Sequence, residues 1–164
     1  MKKILPFLLA VIIIACNSAA SVKNSSDDSA GTTVSSKKDF ISAQLNGKAF
    51  QSTNKDNGLF NPLTKMNTVL GEDNEGRSIS LSFPPELKAN ENCTGCAAAL
   101  FIKQDEDMTK TYRTVNITDL KIKLTVKNGS YVEGEFSFTA SKALDDKIVV
   151  TNGKFASVID GYEQ

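Results

Sequence analysis

Apolar and polar residues alternate in short runs along this chain, and the runs are broken at Asn-Gly dipeptides. That pattern restricts the chain to β structure. In Arg77-Ser78-Ile79-Ser80-Leu81-Ser82-Phe83, one face carries Ile79, Leu81 and Phe83 and the other carries serines. A period of two residues defines a half-buried strand, and Pro84-Pro85 ends it because proline cannot donate to a central ladder. Leu120, Ile122, Leu124 and Val126 repeat the pattern, as do Val132, Gly134, Phe136, Phe138 and Ala140. Asn46-Gly47, Asn128-Gly129 and Asn152-Gly153 punctuate these runs. Both residue types tolerate positive φ, so Asn-Gly between alternating segments is a hairpin signal.

Register constrains each turn, because a slip of one residue moves every side chain to the other face. A two-residue loop at Asn46-Gly47 pairs Leu45 with Lys48 and Ala43 with Phe50, leaving Ile41, Ala43, Leu45 and Phe50 on one face. A two-residue loop at Asn152-Gly153 sets Val150 opposite Phe155 and brings Ile148 and Ile159 to one face. At Asn128-Gly129 a two-residue loop would set Glu133 against Leu124. A three-residue loop, Lys127-Asn128-Gly129, sets Leu124 opposite Val132 and Leu120 opposite Phe136, with Gly129 left-handed in a bulge. Met66 to Leu70 is expected to join the Arg77 strand through the polar loop Glu72 to Gly76. Thr111 to Thr118 reads as a further strand, Ala97 to Lys103 is ambiguous, and Pro85 to Asn90 suits one helical turn. The expected fold is all-β, an antiparallel sandwich or barrel of about eight to ten short strands joined by hairpins.

The N-terminus carries a different signal. Lys2 and Lys3 precede an apolar stretch over residues 4–14, which ends in Ile13-Ile14-Ala15-Cys16. The stretch is shorter than the roughly 20 residues needed to span a bilayer and suits a signal-peptide core. The small residue before a cysteine resembles the lipobox of bacterial lipoproteins. That resemblance implies cleavage before Cys16, a diacylglyceryl group on its thiol and an acyl chain such as palmitate on its amine. Two or more buried chains anchor a protein stably. The expected organisation is a lipoprotein signal peptide over 1–15, a lipidated Cys16 and flexible linker over 16–38, and a single β domain over 39–164. Asn17 to Lys38 has almost no large apolar residue and cannot offset the entropy of ordering. Within it Asp28-Ser29-Ala30 resembles the Asp-Ser/Thr-small O-glycosylation motif of Bacteroidetes-type exported proteins, which makes Ser29 a candidate glycosylation site. Asn17 stands where an inner-membrane retention signal has Asp, so the expected location is the cell envelope, at the outer membrane.

Composition narrows the function. Cleavage would remove Lys2 and Lys3 from a balance of 19 basic and 19 acidic residues. The near-neutral remainder has no electrostatic footprint for nucleic acid. The chain has no histidine, which takes away the commonest general base and transition-metal ligand. Besides Cys16 only Cys93 and Cys96 remain, and an even pair outside the cytoplasm reads as a disulfide.

Cys93-Thr94-Gly95-Cys96 is the motif with the most chemical potential. A thioredoxin-type site needs a core strand before the first cysteine, and Glu86 to Asn92 is polar. It also needs a later cis-proline, and Pro6, Pro62, Pro84 and Pro85 all precede Cys93. Haem attachment needs a histidine where Ala97 stands, and structural zinc needs four ligands. Ser52-Thr53-Asn54-Lys55 matches Ser-x-x-Lys without its supporting motifs. Asp105-Glu106-Asp107 and Glu72 to Gly76 lack the ligand spacing of a calcium loop. Asp105, Asp107, Asp145 and Asp146 remain as carboxylates for an acid–base pair, and nothing selects two of them. No catalytic residue, metal or cofactor is therefore expected.

Three further segments are Leu45-Asn46-Gly47-Lys48, Val132-Glu133-Gly134-Glu135-Phe136-Ser137-Phe138-Thr139-Ala140 and Val150-Thr151-Asn152-Gly153-Lys154-Phe155. Together with Cys16 they resemble a family of small Bacteroidetes-type lipoproteins with an all-β domain. The resemblance implies a shared β fold and an envelope location, with no catalytic residues and no known ligand. The functional expectation is a lipid-anchored, non-catalytic binding or interaction module. It would meet the membrane through the lipid on Cys16 and an envelope protein or glycan through its domain. The alternatives are a lipocalin-like carrier of a small apolar ligand and a carboxylate-based enzyme.

Overall fold

The structure is a computed structural model that describes residues 39–53, 58–102, 112–113, 116–143 and 146–161. The leader, Cys16, Ser29 and the linker lie outside the described residues, as do Lys55, Asp105, Asp107 and Asp145. The described residues are all-β, with ten strands. These are β1 (Phe40–Leu45), β2 (Lys48–Gln51), β3 (Gly58–Asn61), β4 (Met66–Glu72), β5 (Arg77–Phe83), β6 (Ala97–Ile102), β7 (Tyr112–Arg113), β8 (Asn116–Asn128), β9 (Tyr131–Ala143) and β10 (Asp146–Asp160).

Two antiparallel ladders result. One runs β2-β1-β10-β9-β8 and the other β3-β4-β5-β6-β7. They join where the end of β10 pairs in parallel with β3, Ile159 opposite Gly58 and Asp160 opposite Leu59. This short parallel stitch is the one departure from the expected antiparallel pairing. The strand path is open and does not close into a barrel. The inner faces of the two ladders share one core. Phe83 of β5 meets Phe155 of β10 with ring centroids 5.9 Å apart, and Phe136 of β9 lies 6.3 Å from Phe155. Phe50, Phe83, Phe138 and Phe155 are all buried, so bulky rings fill the space between the ladders.

Local expectations held where the pairing is local. Leu45 faces Lys48 and Ala43 faces Phe50 across Asn46-Gly47, both of which have positive φ. Ile79, Leu81 and Phe83 are buried on one face of β5, and a polar loop joins β4 to β5. Ala97 to Ile102 is strand β6. Pro85 to Asn90 is not helical: Leu87 N–H donates to Pro84 O and Glu91 N–H to Lys88 O, which makes two turns.

Two turns differ from expectation. Asn152-Gly153 is no hairpin, because β10 continues through it for 15 residues with a bulge between Val150 and Gly153. Asn152 takes φ 52°, and the extra residue returns Val150 and Phe155 to the same face. At β8–β9 the loop is Gly129-Ser130, with Asn128 opposite Tyr131, rather than three residues beginning at Lys127. A bulge between Leu124 and Val126 then sets Leu124 opposite Gly134 and Ile122 opposite Phe136. Glu133 pairs with Val126 and accepts a 2.7 Å hydrogen bond from the Tyr131 hydroxyl, so no charge is buried against Leu124. Gly129 is left-handed, as expected.

Candidate functional site

An open depression lies on the solvent side of the β8-β9-β10 ladder, opposite the core. It is a trough of about 670 Å³. Strand alternation places its walls. Ile122, Leu124, Phe136 and Phe155 point inward, so Lys121, Lys123, Glu135, Ser137 and Lys154 point outward. Lys123, Glu135 and Lys154 form one cross-strand row, and Lys121 stands opposite Ser137 in the next. Thr151, Asn152 and Asn92 complete the polar lining. Asn152 donates from Nδ2 to Gln44 Oε1 at 3.1 Å, which ties the bulge to β1.

Bulges shape the trough, since an extra residue bends a strand and increases its local twist. One lies between Thr118 and Lys121, where Asp119 has φ 55°, and another holds Asn152. Left-handed conformations outside glycine are uncommon, and here they flank the depression at two places. No described carboxylate forms an ion pair with Lys121, Lys123 or Lys154.

The segment joining β5 to β6 supplies the remaining wall. It leaves one ladder and covers the edge of the other: Asn90 N–H donates to Leu124 O at 2.7 Å and Cys93 N–H to Ile122 O at 2.8 Å. Asn92 forms an isolated bridge with Lys123. Lys127 Nζ caps the Pro85 and Leu87 carbonyls. Cys93 and Cys96 are joined as a disulfide with Cα atoms 5.9 Å apart, half-buried against the core. Gly95 between them has φ 77°. The disulfide closes the turn by which the segment leaves the β8 edge and enters β6. A smaller depression of about 360 Å³ lies along this segment between Pro84 and Thr94.

The acidic segments do not converge. Asp73 is buried and fully used: Oδ1 accepts from Glu75 N–H and Arg77 N–H, and Oδ2 accepts from Arg77 Nε at 2.6 Å. This is a turn lock, with Arg77 also donating to Ala49 O and lying over the Phe50 ring. Glu135 is the carboxylate of the large trough. Glu86 and Glu91 border the smaller one, and Glu91 accepts from Lys88 N–H. Asp146 is exposed at the start of β10. Among the described residues no cluster of three or more Cys, Asp or Glu could hold a metal ion. Burial, and then the Glu133 hydrogen bond and charge with a further push from Asp39, raises the Tyr131 hydroxyl pKa well above its usual value. Asn67 is buried with Oδ1 unpartnered on the core side of β4.

None of the three trough lysines stands out in the sequence. Each sits on the polar face of an alternating strand, where a charged residue is ordinary, and only the pairing of β8 with β9 and β10 gathers them. No family model, curated protein or solved structure matches this chain significantly.

Proposed function

We propose that this chain is a lipid-anchored cell-envelope protein, of the small Bacteroidetes lipoprotein kind, whose β domain is a non-catalytic binding module. The Ile13-Ile14-Ala15-Cys16 run supports the anchor, and the polar residues that follow support a tether. The observation that carries the binding reading is the contrast between a filled core and an open polar trough. A lipocalin-like carrier needs an unfilled apolar interior, and Phe50, Phe83, Phe138 and Phe155 occupy the interior here.

Two measurements test this reading. Cys16→Ser in the full chain should leave an uncleaved precursor that takes up no labelled palmitate. Processing like that of the wild type would remove the anchor. Native mass spectrometry of the purified domain should show no bound lipid. A stoichiometric apolar molecule retained through purification would make the protein a carrier.

A further inference from the structure

We propose that the trough on β8, β9 and β10 is a binding site for an acidic saccharide, its carboxylates or phosphates held by Lys121, Lys123 and Lys154. This rests on the reading of the domain as a binding module and names the ligand class of that site.

Charge comes first. Among the described lining residues three ammonium groups stand beside one carboxylate, that of Glu135, while the whole chain balances its charges. Cross-strand neighbours have Cβ atoms about 5 Å apart, so Lys123 and Lys154 flank Glu135 within reach of one ligand. None of the three lysines forms an ion pair with a described carboxylate. Elsewhere the same chain does pair its charges: Arg77 reaches Asp73 at 2.6 Å and Glu75 at 3.3 Å. The trough lysines keep their hydrogen-bonding capacity for something outside the chain.

The neutral lining then selects among anions. Asn92, Ser137, Thr151 and Asn152 present amides and hydroxyls, which match sugar hydroxyls as both donors and acceptors. Among the described lining residues the only aromatic one, Phe136, is 3 % exposed. Single-stranded nucleic acid is held by stacking bases on aromatic faces, and protein interfaces centre on buried aromatic or arginine anchors. The described lining of the trough offers neither. Its volume of about 670 Å³ falls in the range of small-ligand clefts, enough for a short stretch of a saccharide. Two bulges with left-handed Asp119 and Asn152 bend the strands around it, a device that recurs next to functional sites.

Glu135 provides the discriminating test. Between Lys123 and Lys154 its carboxylate repels a second anion, so Glu135→Gln should tighten binding of an acidic ligand. Calorimetry of the full chain in detergent with an oligouronate and, in a second arm, a phosphorylated disaccharide separates carboxylate from phosphate recognition. The expected result is binding of at least one that weakens with salt. Lys123→Met and Lys154→Met should each weaken it about tenfold, as losing one charge-assisted hydrogen bond does. Glu135→Gln should strengthen it about threefold, and Lys48→Met, in the β1–β2 hairpin, should leave it unchanged. Unfolding midpoints verify that each variant folds. Failure of both ligands to bind would overturn the assignment. So would equal weakening by Lys48→Met, or equal binding of single-stranded DNA, which would show a nonspecific polyanion surface. These failures leave the core filled and the anchor in place, so they are distinct from failure of the binding-module reading through bound lipid or unaltered processing.

Discussion

Gly134→Ala should destabilise the domain, although alanine is favoured over glycine in a strand by about 0.5–1 kcal/mol. Gly134 sits in β9 between Leu124 of β8 and Phe155 of β10. A Cβ added there would lie 2.5 Å from Cε1 and Cζ of Phe155 and 2.7 Å from the Lys123 carbonyl oxygen. Carbon atoms rest at about 3.5–4.0 Å, so the ring would have to retreat by roughly 1 Å. It has little room, because the Phe83 ring lies 5.9 Å away and the Phe136 ring 6.3 Å away. The Lys123 carbonyl belongs to the β8 backbone and cannot move without disturbing the ladder. Overpacking of this kind costs about 1–3 kcal/mol. With a methyl blocked on two sides, a net loss of about 2 kcal/mol after the alanine preference is the expected figure. At about 4 °C per kcal/mol for a domain of this size, the thermal midpoint should fall by about 8 °C. Urea unfolding of Gly134→Ala, Phe155→Leu and the double variant gives the coupling directly. Leucine lacks the two clashing ring atoms, so the double variant should recover about 1 kcal/mol relative to the sum of the singles. A Gly134→Ala domain as stable as the wild type, or strictly additive variants, would refute the packing argument.

Thiol labelling without reductant should find neither Cys93 nor Cys96 free, and the double alanine variant should lose no more than about 2 kcal/mol because the closed loop is very short. In that variant, amide exchange should quicken first at Asn90 and Cys93, whose N–H groups hold the segment on the β8 edge. Asp73→Ala should cost about 2 kcal/mol by urea unfolding, since it leaves Arg77 Nε and two backbone N–H groups without their acceptor, while Ala49 O and Glu75 still hold the rest of the guanidinium. At alkaline pH, Tyr131 keeps its proton in the fold after the unfolded chain has lost it. Its contribution is therefore complete below about pH 10 and declines above it, so Tyr131→Phe should flatten the fall of stability between about pH 10 and 12.

Alternation by itself determined the strands and their inward faces. Ile79, Leu81 and Phe83, then Val132, Phe136 and Phe138, are buried as their spacing demands, because a period of two has one solution beside an apolar core. The Asn46-Gly47 hairpin was legible down to its residue pairs for the same local reason. Cys93 and Cys96, three residues apart, are bonded across a turn that their own separation makes short.

Asn152-Gly153 and Asn128-Gly129 mark where local information ends. Val150 and Phe155 lie five residues apart yet share a face, so the alternation must slip once between them. A hairpin and a one-residue bulge both supply that slip, and Asn152 with positive φ serves either. What decides is that β1 and β9 stand on either side of β10, and a strand flanked on both sides gains two ladders by running straight on. The choice at Leu124 and Val132 has the same form: a three-residue loop and a shorter loop with a bulge give equivalent faces. Tertiary pairing selected the bulge, which keeps Glu133 outside the core and beside Tyr131. The trough is of that second kind. Lys121 and Lys154 are more than thirty positions apart in sequence, each unexceptional on a polar face, and they line one trough only when β9 lies between their strands.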